Sequence, residues 1–149
     1  MSLFGGTAIA IGVTPRDYPT FRFPGWHSQS VGYHADGTDI FQDVSLLTEI
    51  DGHIYCEDSQ DRNWKIDGNK FWKGDYVGCG RGVSVNGDEF IFFTKNGKLV
   101  HKQTFRAKAD VFPTIAANLD CAIAVNTKVT YDFSAVIDAD CDAYKTHTK

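Results

Sequence analysis

The sequence predicts an all-β fold, a β-sandwich of two antiparallel sheets with one short C-terminal helix. Three observations lead there. Most of the chain reads as short apolar or alternating runs separated by Gly, Asn and Asp turns. Two Asn-Gly pairs, Asn86-Gly87 and Asn96-Gly97, each sit between such runs. Both suit tight hairpins, because the central residues of a type I′ turn need positive φ. No strong amphipathic helix appears before the C-terminal tail, and many short strands with few helices build a sandwich or barrel.

Taken in order, a first strand covers about Thr7 to Val13. The loop from Thr14 to Gly25 follows, and its prolines at Pro15, Pro19 and Pro24 exclude regular structure. Ser28 to His34 reads as the next strand, ended by a turn at Asp36-Gly37. The acidic region from Asp36 to Asp61 contains an echo. Asp36-Gly37-Thr38-Asp39-Ile40-Phe41 resembles Asp51-Gly52-His53-Ile54-Tyr55-Cys56, which reads as two similar turn-strand units. Asp75 to Val85 is a strand on which Gly78, Gly80 and Gly82 alternate and share one face. That bare face lets a neighbouring ring or backbone approach closely. Asn86-Gly87 leads into the aromatic strand at Phe90, and Asn96-Gly97 returns it, so three strands form a meander. The aromatic strand is expected to build the core. Val111 to Ala116 and Cys121 to Val125 are two further apolar strands. In the tail, Ile137, Cys141 and Tyr144 have helical spacing behind Ser134, an acceptable N-cap.

A chain of 149 residues favours one domain, and 42% hydrophobic with 13% aromatic residues supplies its core. The organisation expected is a sandwich over residues 1–133 and an extension over 134–149. A net charge of -4 leaves no basic stripe for nucleic acid or an anionic membrane, so neither is an expected partner. No apolar run is long enough to span a bilayer. Thr7 to Val13 is short and lacks a preceding basic region, so it reads as a strand rather than a signal peptide. The four cysteines are widely spaced, without a Cys-x-x-Cys pair, and there is no Asn-x-Ser/Thr site. A core of this size does not need disulfides, so a reducing cytoplasmic or nuclear compartment is expected.

Little in the residues argues for catalysis. His34, His53, Cys56 and Cys79 lack zinc spacing, and the acids between Asp36 and Asp58 lack the order of a calcium loop. Gly78-x-Gly80-x-Gly82 is not followed by the helix a dinucleotide site requires. No Gly-x-Ser-x-Gly elbow is present. No enzyme activity, metal or cofactor is therefore expected. Of the tryptophans, Trp72 adjoins an apolar strand and reads as core. Trp64, in a polar stretch, is expected to be the most exposed of Trp26, Trp64 and Trp72.

Several motifs fall in an order that resembles the SPRY domain, in its Ran-binding-protein type. They are Ala10-Ile11-Gly12-Val13, Pro24-Gly25-Trp26-His27 with Ser30-Val31-Gly32-Tyr33-His34, and Asp51-Gly52-His53-Ile54-Tyr55. Gly74-Asp75-Tyr76-Val77-Gly78-Cys79, Phe93-Thr94-Lys95-Asn96-Gly97, Val111-Phe112-Pro113-Thr114-Ile115 and Ala124-Val125-Asn126 follow. The match covers Ile9 to Phe133. Two departures stand out. The chain begins almost at the Ile-Gly strand, so the strand that usually precedes it is expected to be truncated or supplied by Ser2 to Gly6. Between Tyr33 and Trp72 the chain is longer than usual, which places an acidic insertion near the expected binding loops.

The resemblance implies a protein–protein interaction module that takes a short peptide or loop of a partner at one end of the sandwich. Carried onto this sequence, the binding loops are Arg16-Asp17-Tyr18, the region of Tyr55, Glu57 and Asp58, and Asn118-Leu119-Asp120. Arg16 suits a carboxylate, and Tyr18 and Tyr55 offer rigid aromatic anchors. The acidic insertion favours a basic partner segment. The resemblance further implies a scaffold or substrate-recruiting part of a ubiquitin-ligase assembly. The alternative from another class is a lectin-like carbohydrate-binding sandwich, which would place aromatic and polar residues on a concave sheet face.

Overall fold

The computed structural model describes residues 7–27, 29–37, 50–57, 63–68, 71, 74–106, 108–117, 123–128 and 134–141. Eight strands run in the order β1 (Thr7–Pro15), β2 (Ser30–Gly37), β3 (Ile50–Glu57), β4 (Asn63–Gly68), β5 (Val77–Val83), β6 (Glu89–Lys95), β7 (Lys98–Thr104) and β8 (Val111–Ala117), and α1 (Ser134–Asp138) follows. They form a five-stranded sheet, β4-β3-β2-β1-β8, and a three-stranded sheet, β5-β6-β7, antiparallel throughout. Pro113 lies in β8, an edge strand among the described residues, where a missing N–H donor is tolerated.

Alternate residues of the two sheets meet to make the core. Val13, Val31, Tyr33, Ala35 and Ile54 of the larger sheet pack with Ile91 and Phe93 of the smaller, and Phe71 and Phe105 close the cluster. Tyr33 is central, with its ring 4.8 Å from that of Phe71 and 5.6 Å from that of Phe93. Burial of each Val, Ile or Phe side chain of this cluster contributes about 1.5–3 kcal/mol.

The three-stranded sheet is the predicted meander. Asn96 and Gly97 have φ of 50° and 79°, and Lys95 pairs with Lys98, so this is the expected two-residue turn. The other hairpin is wider. Val83 pairs with Glu89, the Gly87 N–H donates to the Ser84 carbonyl, and Gly87 alone of the Asn-Gly pair takes positive φ. A left-handed glycine after an ordinary turn is the usual solution for a longer hairpin loop.

The aromatic strand serves two faces, not one. Ile91 and Phe93 enter the core, whereas Phe90 and Phe92 point outward and pack with Val136 and Leu99. The glycine face explains why. Gly82 and Gly80 stand opposite Phe90 and Phe92, and a Cβ on Gly82 would lie 2.5 Å from Phe90 Cζ. A Cβ on Gly80 would likewise overlap the Phe92 ring. The rings occupy the space that side chains on β5 would need.

Three local expectations change. Asp36-Gly37 is the end of β2, opposite Asp51 and Ile50, and Asp51-Gly52 lies inside β3. The Asp-Gly pairs of the two copies thus sit in one ladder, Asp36 opposite Asp51, rather than forming separate turns, because pairing satisfies their backbone groups. Residues 123–126 do not form the expected strand. Val125 is 64% exposed, and among the described residues β8 pairs with β1 alone. Cys121 and Ala122 lie outside the described residues. The helix is shorter than expected and turned. It ends at Asp138, before Cys141, and buries Val136 while Ile137 stays exposed. Its last carbonyls are taken by Lys102, whose Nζ donates to Val136 O at 2.8 Å and Ala139 O at 2.7 Å. Tyr144, Ser2 to Gly6 and Trp72 lie outside the described residues.

Candidate functional site

The ladders separate the two ends of the sandwich. Pro15, at the end of β1, pairs with Val111, at the start of β8, and Ser30 pairs with Glu57. Phe105 donates its N–H to Glu89 O, Arg106 pairs with Asp88 at 3.5 Å, and the Lys108 N–H donates to Gln29 Oε1 at 2.9 Å. The Arg16–Gln29 loop, the Ser84–Asp88 hairpin and the link from Phe105 to Val111 therefore gather at one end. The Asn96-Gly97 turn is at the other end of its sheet.

The Arg16–Gln29 loop is a series of tight turns. The N–H groups of Tyr18, Arg22 and Trp26 donate to the carbonyls of Pro15, Pro19 and Phe23. In the third turn Pro24 fixes φ at the first central position and Gly25, with φ of 92°, takes the left-handed second. The loop is tied down from beneath. The Tyr18 hydroxyl donates to Phe23 O at 2.5 Å, and Ser30 Oγ lies 3.2 Å from it. Ser30 also takes the Gly25 N–H at 2.8 Å and donates to His27 O. Burial raises the Tyr18 pKa, against the lowering pull of the Ser30 hydrogen bond.

The Pro24–Trp26 turn lies on the outer face of the five-stranded sheet. Buried His34 bonds Pro24 O through Nε2 at 2.7 Å, and its ring lies 5.1 Å from Trp26, which stacks on Phe23. Gly32 is required beneath it, since a Cβ there would strike the Pro24 carbonyl. This part of the sheet is covered and offers no open concave platform.

The loop leaves Arg16, Asp17, Thr20, Phe21, Arg22 and His27 exposed, and Phe21, at 84% accessible, is its one exposed large apolar side chain. The Arg16 guanidinium lies 5.0 Å over the ring of Phe112, itself partly exposed. This cation–π contact holds the charge at the end of the sheet without neutralising it. Beside it Thr14 and Thr114 join hydroxyls at 2.7 Å. The arrangement presents a fixed cation and an apolar ring on a rigid support, which is binding chemistry. Among the described residues no three His, Cys, Asp or Glu side chains are grouped to hold a metal.

Of the sequence-predicted residues, Arg16, Asp17 and Tyr18 share this loop, but Tyr18 acts as its internal strut. Tyr55 and Glu57 are on β3, opposite Gly32 and Ser30, which brings Glu57 to the same end. Asp58, Asn118, Leu119 and Asp120 lie outside the described residues. β8 closes at Ala117 opposite Ile9, at the far end of β1 from Arg16. Trp64, on β4, pairs with Cys56 on β3. Phe21 and Phe112 were not among the expected site residues. The available signals were an aromatic inside a proline-bounded loop and one beside a proline on a strand.

A family model of the SPRY domain matches residues 1–130. The chain is 32% identical to the protein ssh4 of Sclerotinia sclerotiorum over 121 residues, which are 80% of this chain and 19% of that protein. It is 36% identical to a Ran-binding protein M homolog of Arabidopsis thaliana over 110 residues, 74% of this chain and 19% of the relative. It thus spans about a fifth of the curated relatives it matches. The crystal structure of a human SPRY domain superposes with a TM-score of 0.54 at 33% identity, covering 79% of this chain and 67% of the other. SPRY domains are in general protein–protein interaction modules, not typically enzymes. With the ordered motifs, the two antiparallel sheets and these matches in agreement, the chain belongs to the SPRY domain family.

Proposed function

We propose that this domain recognises a short peptide or loop of a partner protein through the end of the sandwich that carries Arg16, Asp17 and Phe21. The observation that supports this reading is the locked loop. Tyr18, Ser30 and the His27 carbonyl hold the backbone from beneath while Arg16, Asp17 and Phe21 stay exposed outside that network. A preformed loop loses little ordering entropy on binding, and Arg with an aromatic is common hot-spot chemistry. The acidic stretch between Asp36 and Asp58 favours basic residues in the partner segment, and Arg16 favours a carboxylate within it. The Ran-binding-type resemblance extends this to a scaffold or substrate-recruiting role in a ubiquitin-ligase assembly. The free thiols of Cys79 and Cys141 fit a reducing cytoplasmic or nuclear setting.

The test is crosslinking mass spectrometry in cells with the Arg16→Ala/Phe21→Ala double variant. Lys98→Ala, at the opposite end, serves as the control. Partners should be lost from the double variant and kept by the control. A double variant that keeps every partner places the binding face elsewhere.

A further inference from the structure

The outer face of the three-stranded sheet plays no part in the proposed binding end, yet it holds a buried cation. Lys102 is 3% exposed. Its Nζ donates to three carbonyls at the end of α1, those of Val136, Ile137 and Ala139, at 2.8, 3.2 and 2.7 Å. It also lies 4.3 Å over the ring of Phe90. Cations at a helix C-terminus are favourable because its last carbonyls lack intrahelical donors. Here a single side chain from the sheet satisfies three of them.

What α1 covers is apolar. Val136 is its buried residue, and it sits on Phe90 and Phe92 above the Gly80 and Gly82 backbone. A five-residue helix has no stability of its own, since nucleation alone outweighs the few hydrogen bonds it forms. The described contacts that hold it include the buried Val136, the Lys102 bonds and the Thr104 hydroxyl, which donates to Cys141 Sγ at 3.6 Å. The sheet beneath has separate support, because Ile91 and Phe93 belong to the main core. Opening the helix therefore leaves the sandwich intact and exposes two phenylalanines beside a ready-made donor for helix carbonyls.

We propose that α1 is a releasable strap, and that the Phe90–Phe92 face with Lys102 is a receptor for the C-terminal end of a helix, occupied in the free protein by α1 itself. A partner helix able to replace it carries a β-branched or aliphatic residue where Val136 sits and ends one turn later with free carbonyls.

The reactivity of Lys102 reports the strap directly. The full chain is treated with an acylating ester, and labelling at Lys102 is compared with amide exchange at Ile91 and Phe93. Lys102 should label at least about tenfold faster than global unfolding permits, because the strap opens locally. Val136→Ala should raise labelling at least about tenfold further while exchange at Ile91 and Phe93 stays unchanged. An excess of a peptide with the sequence Ser134 to Cys141, amidated at its end, should slow labelling in that variant. Labelling that tracks core exchange in both proteins overturns the strap. Labelling that the peptide does not slow overturns the receptor.

Discussion

Asn96 has a second task besides turning the chain, and substituting it separates the two. Its backbone sits at φ of 50°, and its N–H donates to Tyr76 O at 2.7 Å. Its side chain reaches the segment that enters β5. Oδ1 accepts the Tyr76 N–H at 2.9 Å and Nδ2 donates to Asp75 Oδ1 at 3.0 Å. The hairpin tip of β6 and β7 thus pins the start of the third strand of its sheet. Both side-chain bonds are exposed, so each contributes near the low end of the usual range, about 0.5 kcal/mol, or about 1 kcal/mol together. Asn96→Gly keeps the turn, because glycine adopts positive φ freely, and should cost about 1 kcal/mol. Asn96→Ala loses the same bonds and adds left-handed strain of about 1–2 kcal/mol, for a total of about 2–3. In a chain of this size each kcal/mol moves Tm by about 2–4 °C. Thermal and urea unfolding of the two variants should therefore rank wild type, then glycine, then alanine. Asn96→Asp adds a check, since it keeps the acceptor for Tyr76 but places a carboxylate beside that of Asp75. Its deficit should be larger at pH 7 than at pH 3. If Asn96→Gly equals or exceeds the wild type, the bridge to Asp75 and Tyr76 contributes nothing and Asn96 serves the turn alone.

Gly80→Ala should destabilise by about 1–3 kcal/mol, because its Cβ overlaps the Phe92 ring. Combining it with Phe92→Leu should cost less than the sum of the two, as unfolding by urea will tell. Tyr18→Phe removes the hydroxyl that holds Phe23 O and should cost about 1 kcal/mol. It should also weaken partner binding by loosening the loop, which isothermal titration with a captured partner peptide will measure. Burial, aided by Asp75, pushes Tyr33 from 10.0 up to about 12, so its folded form stays protonated where the unfolded form ionises. That stability is complete below pH 10 and is lost as the pH rises through 12, at about 1.4 kcal/mol per pH unit for one group. Ultraviolet titration should show one tyrosine ionising only with unfolding. Cys79, packed against the core and pushed to about 12 by burial, should resist a thiol reagent at pH 8, whereas exposed Cys141 reacts.

The residues that could be read in advance are those whose backbone geometry admits few alternatives. Asn96-Gly97 announces its turn because few side chains tolerate that conformation, and Gly80 and Gly82 announce a close approach because a Cβ would meet a ring. The sequence could not tell which ring, since Phe90 and Phe92 could be assigned to a face only once β5 and β6 were paired. The same limit applied to the tail. Helical spacing pointed to Ile137 and Cys141, but the packing and cap come from Lys102, more than thirty residues away in sequence, a distance over which periodicity carries no information. Tyr18 looked like an anchor from its type and setting; its partner Ser30, twelve residues on, makes it a strut.

This division has a consequence for how the domain can change. Gly32 cannot gain a side chain without displacing the Pro24 carbonyl, and with it the turn that carries Trp26 over His34. Phe21 touches no such constraint, being 84% exposed at a loop tip. The residues that identify the scaffold are thus ones the fold itself demands, and for that reason they form a motif. The residues that would select a partner are those the fold leaves unspecified. Replacing Gly32 should abolish folding and binding together, whereas replacing Phe21 should alter the partner set with stability held within about 0.5 kcal/mol. That contrast is what separates a scaffold residue from a recognition residue in this chain.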